Sequence, residues 1–101
     1  MQEQILDALR RQANADALRI AQTWAADAAG DAQAHRWLAL AQQQNGDTAA
    51  ALASIDQAIA LAPEDAGLHL LRAGMLLGAN DLAQAEDALA RTAALDPNQF
   101  L

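Results

Sequence analysis

Apolar residues recur in the middle of the chain with the spacing of one buried helix face. Between residues 48 and 62 they stand at Ala51, Leu52, Ile55, Ala58, Ile59 and Ala62. This i, i+1, i+4, i+7, i+8 spacing predicts an amphipathic helix, which Pro63 ends. An earlier helix is predicted over Ala32–Gln44, with Asp31 as its N-cap. The segment Asn45-Gly46-Asp47 between the two helices is a turn signal, so the sequence predicts a helix–turn–helix unit.

The unit repeats when the sequence is shifted by about 34 residues. The shift brings Asp31 onto Asp65, His35 onto His69, Asp47 onto Asp81, Leu61 onto Leu95 and Pro63 onto Pro97. Three units are therefore predicted, at about 1–31, 32–65 and 66–99. The first has helices near 3–12 and 15–28 around Ala13-Asn14-Ala15, and the third has a turn at Ala79-Asn80-Asp81 and a stop at Asp96-Pro97-Asn98.

Composition favours helix throughout the chain. Apolar residues make up 53% of the sequence, mostly alanine and leucine, and valine is absent. Alanine and leucine are strong helix formers, whereas strands prefer β-branched and aromatic residues, so an all-α fold is predicted. Alanine also recurs where the two helices of a unit are expected to cross, at Ala17, Ala51, Ala85, Ala39 and Ala73. A larger residue at such a contact would overpack it, at a cost of about 1–3 kcal/mol.

A helix–turn–helix repeat with this period and these features resembles the tetratricopeptide repeat. The second unit carries the family pattern best, with Leu38-Ala39 in its first helix, Gly46-Asp47 at the turn, and Ala51, Ile55, Ala58 and Leu61-Ala62-Pro63 in its second. The resemblance implies a right-handed superhelical stack of antiparallel helix pairs, about six helices in a single domain over residues 1–101. The sequence departs from the family at its aromatic slot, which holds His35 and His69. It also departs at Gln42 and Leu76, where Tyr is usual, and at Arg72.

In this family the first helices of the units line a concave groove that binds a protein or peptide. The transferred positions include Gln43 and Gly67, and those chosen as partner-binding candidates are Leu6, Leu9, Arg36, Trp37, Leu40, Gln44, Leu70, Leu71, Gly74, Leu77 and Gly78. The basic and amide residues of the family's carboxylate clamp are missing from these positions. The groove is therefore expected to take a helical or extended apolar segment, with Trp37 as its anchor. The alternative is that some of these leucines are core residues and that the glycines have no role.

The end of the repeat array is a second candidate surface, because the last unit of a solenoid leaves an apolar face open. The candidates for this edge are Leu76, Leu89, Ala93, Phe100 and Leu101. We expect the chain to be part of a longer protein that covers this face. The alternative is a homo-oligomer, in which the edge or the groove pairs copies of a larger protein.

Charge and residue chemistry narrow the function further. Six Arg, no Lys and thirteen acidic residues give a net charge of −7, which argues against nucleic acid and anionic membranes as partners. Cysteine is absent, so a cytoplasmic location is expected, with a processed periplasmic protein as the alternative. His35 and His69 lack further metal ligands and are interpreted as structural rather than as a zinc site. No catalytic motif or cofactor signature is visible, so the chain is expected not to be an enzyme, although it could serve as an accessory region of one.

Overall fold

The predicted units are present as six consecutive α-helices in a computed structural model that describes residues 2–96. The helices are α1 Gln2–Arg10, α2 Asn14–Asp27, α3 Ala32–Gln44, α4 Thr48–Leu61, α5 Ala66–Gly78 and α6 Leu82–Leu95. They pack in chain order as antiparallel pairs, and α1 also contacts α3. The predicted all-α fold is therefore confirmed. Within residues 2–96, every helix falls short of the length and hydropathy needed to cross a bilayer.

Aspartate caps explain where α3, α4, α5 and α6 begin. Before each of these helices, an aspartate carboxylate oxygen accepts a hydrogen bond from a backbone N–H of the first turn. Asp31 accepts from Gln33 at 2.9 Å, and Asp65 accepts from Gly67 at 3.0 Å. Asp47 accepts from Ala50 at 3.1 Å, and Asp81 accepts from Gln84 at 3.2 Å. Each bond satisfies one amide that the first turn leaves without a helical partner. The predicted role of Asp31 is thus confirmed. The helix α2 begins after Ala13, which offers no side-chain cap.

The turn inside each unit has one residue in the left-handed region, always at the same place in the repeat. These residues are Gln12, Gly46 and Asn80, with φ of 59°, 82° and 61°. The next residue donates its N–H five residues back, as in Asp47 to the carbonyl oxygen of Gln42 at 3.0 Å. Such a bond closes the C-terminus of a helix in the Schellman manner. The turn at Gln12 also corrects the expected end of the first helix, which stops at Arg10.

Alanine at the crossings gives the pairs their close packing. Ala17, Ala51 and Ala85 are 0%, 0% and 1% exposed, and Ala39 and Ala73 in the partner helices are 0% and 1% exposed. In the first unit Ile5 occupies the position of Ala39 and is also fully buried. The five alanines are therefore buried, as their predicted role in packing between the helices of a unit requires.

One departure from the family pattern is a partly buried polar pair in the second unit. Ser54 donates its hydroxyl to Oε1 of Gln42 at 2.6 Å, joining α3 to α4. One period later the same two positions hold Leu76 and Ala88, which pack in one apolar cluster. At these two equivalent positions, the second unit therefore pairs a polar side chain with a polar one, and the third unit pairs an apolar side chain with an apolar one.

The histidines in the aromatic slot also repeat their contact. The Nε2–H of His35 donates to the carbonyl oxygen of Ala29 at 2.7 Å, and that of His69 donates to the carbonyl oxygen of Pro63 at 3.0 Å. Both rings are buried, at 8% and 7% exposure. Each imidazole thus ties the first helix of a unit to the loop that precedes it. This arrangement supports the structural interpretation of both residues.

Candidate functional site

A groove lies between α3 and α5, the first helices of the second and third units. It has a volume of about 390 Å³ and is open to the surface. Its walls are mainly apolar, with Arg36 and Gln43 as the polar side chains. The residues that line this α3–α5 groove are Arg36, Leu40, Gln43, Gly67, Leu70, Leu71, Gly74 and Met75. Apolar walls with a few placed polar groups are typical of a ligand-binding surface.

Glycine keeps this groove open. A Cβ built at Gly74 would meet no atom within 4 Å, so a side chain is absent where there is room for one. The corresponding position one unit earlier is Leu40. Glycine inside a helix costs about 0.5–1 kcal/mol relative to alanine, so the open space is maintained at the expense of helix stability.

The corresponding space between α1 and α3 is filled. Trp37, which stands where Leu71 stands one unit later, is 7% exposed and belongs to a buried cluster with Ile5 and Ala8 of α1. Leu6 and Leu9, also candidates for the groove, are partly buried against the same cluster. The expectation that Trp37 anchors a partner is therefore corrected. Its indole is a core group of the first interface, because the side chains of α1 close over it.

The α3–α5 groove brings together five of the candidate residues, Arg36, Leu40, Leu70, Leu71 and Gly74. Gln44, Leu77 and Gly78 lie at the C-terminal ends of α3 and α5, outside this lining. The candidate list did not include Met75, which is 2% exposed and follows Gly74 directly. The missing side chain of Gly74 was the available signal, because a position without a side chain makes the residues around it part of the groove wall.

Two polar atoms beside the groove are buried without a hydrogen-bond partner among the described residues. They are Nε of Arg36 and Oε1 of Gln43. The Arg36 guanidinium has a weak contact to Gln33, at 3.4 Å from Nη1 to Oε1, and it lies 5.7 Å from the ring centre of Trp37. Unpaired buried polar atoms cost free energy that a new partner can recover.

The candidate edge of the array is only partly as predicted. Leu76 was expected to be exposed there, but it is 2% exposed and packs with Ala73, Ala85 and Ala88. This corrects the prediction, since Leu76 faces α6 inside its own unit. Leu89 and Ala93 on α6 are half-buried. Phe100 and Leu101 lie outside the described residues. Among the described residues of the third unit, the exposed leucines are instead Leu77, Leu82 and Leu95, at 51%, 58% and 41%.

Comparison with solved structures identifies the same architecture. A structure of MamA, residues 41 to the end, from Desulfovibrio magneticus RS-1 superposes with a TM-score of 0.89 and 21% identity, over 97% of this chain and 55% of that one. The type III secretion chaperone SycD from Yersinia enterocolitica, in complex with a peptide of the translocator YopD, gives a TM-score of 0.85 and 20% identity over 93% of this chain and 72% of SycD. At such identities the likeness concerns the fold.

The chain spans about half the length of the MamA chains that it matches. The search of curated proteins found no match. The family model for the tetratricopeptide repeat matches residues 42–100, more than half of the sequence. Tetratricopeptide repeat domains are scaffolds that generally mediate protein–protein interaction. With the repeat period of the sequence and the six paired helices, this match shows that the chain belongs to the tetratricopeptide repeat family.

Proposed function

We propose that the chain is a protein-interaction module that binds an apolar segment of a partner protein in the α3–α5 groove. The observation that carries the proposal is the open space at Gly74 between apolar walls. The equivalent space between α1 and α3 is occupied by the protein's own side chains. A partner's apolar side chain can therefore be buried in the α3–α5 groove but not in that space. Burial of apolar surface contributes about 25 cal/mol per Å².

The peptide-bound SycD structure supports the proposal by analogy of fold. In this proposal the chain binds without catalysing a reaction. The acidic residues at helix starts act as caps, and the two histidines are occupied by backbone carbonyls.

A library of random twelve-residue displayed peptides, selected on the wild-type protein, provides a probe. The best binder is synthesised and titrated into the wild type, Gly74→Leu and Ala60→Leu. Leucine at position 74 reproduces Leu40 and fills the groove, so binding should weaken by about tenfold or more. Ala60 is exposed on α4 and outside the groove, so Ala60→Leu is a control for an added surface leucine and should bind as the wild type.

Gly74→Leu should remain folded, since the space at Gly74 is free and leucine is the better helix former. A thermal melt followed by circular dichroism checks this point. Equal binding of the selected peptide by the wild type and by folded Gly74→Leu would reject the groove as the site.

Self-association is the second candidate function, and the exposed leucines Leu77, Leu82 and Leu95 favour it. Leu77 and Leu82 flank the α5–α6 turn, and Leu95 lies at the far end of α6. Exposed apolar side chains that form a continuous patch are typical of interaction sites. Light scattering over a concentration series is the test. An increase in mass that is lost in the variant Leu82→Gln/Leu95→Gln supports pairing through these leucines, and a constant monomer mass rejects it.

A further inference from the structure

We propose that Asn45 is a site of spontaneous deamidation and that the reaction loosens the junction between the first two repeat units. Asn45 is the only asparagine of the sequence that a glycine follows. The backbone nitrogen of a glycine reaches a preceding asparagine side chain with little hindrance, because glycine has no Cβ. The proposal is independent of the α3–α5 groove and of the function proposed for it.

The reaction needs water as its only co-reactant. The backbone nitrogen of Gly46 gives up its proton and attacks Cγ of Asn45, forming an N–Cγ bond. The Cγ–Nδ2 bond breaks, and Nδ2 leaves with that proton as ammonia, so a succinimide ring remains. Water then adds to one of the two ring carbonyl carbons and breaks its bond to the nitrogen. The products are aspartate and isoaspartate at position 45, and both carry a carboxylate in place of the amide.

The folded structure holds both reacting groups in other contacts. The N–H of Gly46 donates to the carbonyl oxygen of Gln43 at 3.0 Å. The side-chain amide of Asn45 donates to the carbonyl oxygens of Ala41 at 2.8 Å and Asn14 at 2.9 Å. These bonds have to break before the side chain can turn toward the nitrogen. The reaction therefore proceeds from molecules in which the end of α3 has opened locally.

The product cannot restore the contacts that opening breaks. The amide nitrogen of Asn45 is a donor, whereas the oxygens of a carboxylate only accept. The carbonyl oxygens of Ala41 and Asn14 lose their donor and would face a negative charge instead. Since Asn14 begins α2 and Asn45 ends α3, deamidation removes a bond between the first and second units. The reaction is thus a one-way switch of this junction.

The arginines of the chain make the reaction measurable by mass spectrometry. Trypsin places Asn14, Asn45 and Asn80 in separate peptides, 12–19, 37–72 and 73–91. In guanidinium chloride at mildly alkaline pH, peptide 37–72 should gain the mass of an NH₂-to-OH exchange before the other two. Without denaturant the same change should be about tenfold slower or more, because only opened molecules react.

Gly46→Ala is the control for the site of reaction. In denaturant its folded-state strain at φ 82° has no effect, and it should abolish the early mass gain of peptide 37–72. An early mass gain that persists in Gly46→Ala, or equal rates for the three asparagines, overturns the assignment of the site. Equal rates for Asn45 with and without denaturant overturn the protection by the fold.

The structural consequence is tested with Asn45→Asp, which reproduces the aspartate product. Asn80→Asp is the matched control, because it adds the same charge in the exposed turn of the third unit. In limited trypsin digestion, cleavage after Arg19 in α2 should be about tenfold faster in Asn45→Asp than in the wild type and Asn80→Asp. Cleavage after Arg91 in α6 should be unchanged.

Two outcomes of the digestion contradict the switch. Cleavage of Asn45→Asp after Arg19 at the wild-type rate would show that the junction tolerates the carboxylate. Equally accelerated cleavage after Arg19 and Arg91 would show that the whole array unfolds rather than the first junction alone.

Discussion

Asn45 donates its side-chain amide to the backbone carbonyl oxygen of Asn14 at 2.9 Å, joining the end of α3 to the start of α2. The same amide nitrogen donates to the carbonyl oxygen of Ala41 at 2.8 Å, and Asn14 returns a longer bond of 3.3 Å to the carbonyl oxygen of Gln44. The contact is specific to the junction of the first two units, because one period later Thr48 and Ala79 stand in place of the two asparagines.

Asn45→Ala should lower the free energy of unfolding by about 1–2 kcal/mol, since it removes the amide bonds to two carbonyl oxygens. Ala79→Asn should raise it by about 0.5–1.5 kcal/mol, because one new bond of the kind seen at Asn45 becomes available. The backbone at Ala79, with φ −86° and ψ 1°, matches that of Asn45, with φ −86° and ψ 4°. Urea denaturation measures both changes. A destabilised Ala79→Asn would show that the second junction lacks the required spacing.

The partly buried pair of Gln42 and Ser54 should behave as a unit. Gln42→Leu and Ser54→Ala should each lower the free energy of unfolding by about 1–3 kcal/mol, because each leaves the other polar group unpaired. The double variant reproduces the apolar pair of Leu76 and Ala88 and should recover most of that loss. A double-mutant cycle by urea denaturation measures the coupling. Simple additivity of the two losses would contradict the pairing.

A cap added to α2 should stabilise the protein. Ala13 is the positional equivalent of Asp47 and Asp81, and its backbone, at φ −85° and ψ 65°, lies close to theirs at φ −101° and −94°. Ala13→Asp should raise the free energy of unfolding by about 1 kcal/mol, since the carboxylate can accept from the first-turn amides.

Ala13→Asn serves as the uncharged control for this cap, because Asp16 already lies in the first turn of α2. Asp47→Ala should lower the free energy of unfolding by a similar amount, because it removes the equivalent cap of α4 in the second unit. Thermal melts report all three changes. If Ala13→Asp and Ala13→Asn both melt at or below the wild-type temperature, the two helix starts are not equivalent.

The left-handed position of the turn gives a further prediction. Gln12 adopts φ 59° where the second unit has Gly46. Gln12→Gly should raise the free energy of unfolding by up to about 1 kcal/mol, because glycine adopts this conformation without the steric cost of a Cβ. Gly46→Ala should lower it by a similar amount. Both residues are exposed, so packing changes little. The same sign of change in both variants would mean that backbone conformation does not govern these turns.

The helical architecture of this protein was available from its sequence. The repeat period, the turn at Asn45-Gly46-Asp47 and the buried alanines Ala17, Ala51 and Ala85 specify helix pairs that recur and pack closely. These features are local or periodic, and a repeat fold depends on contacts between neighbouring elements. For the same reason the cap at Asp31 was predictable, while the end of α1 was not, since the pattern does not reveal that Gln12 turns into the left-handed region.

Only the tertiary structure decided which inward-facing positions form a surface. Trp37 and Leu71 are equivalent in the repeat, yet the first is enclosed by side chains of α1 and the second lines an open groove beside Gly74. Leu76 likewise belongs to the interior of its own unit. The periodicity tells which face of a helix a residue occupies, but its exposure depends on the size and spacing of side chains on the helix opposite, and those meet only when the chain is folded.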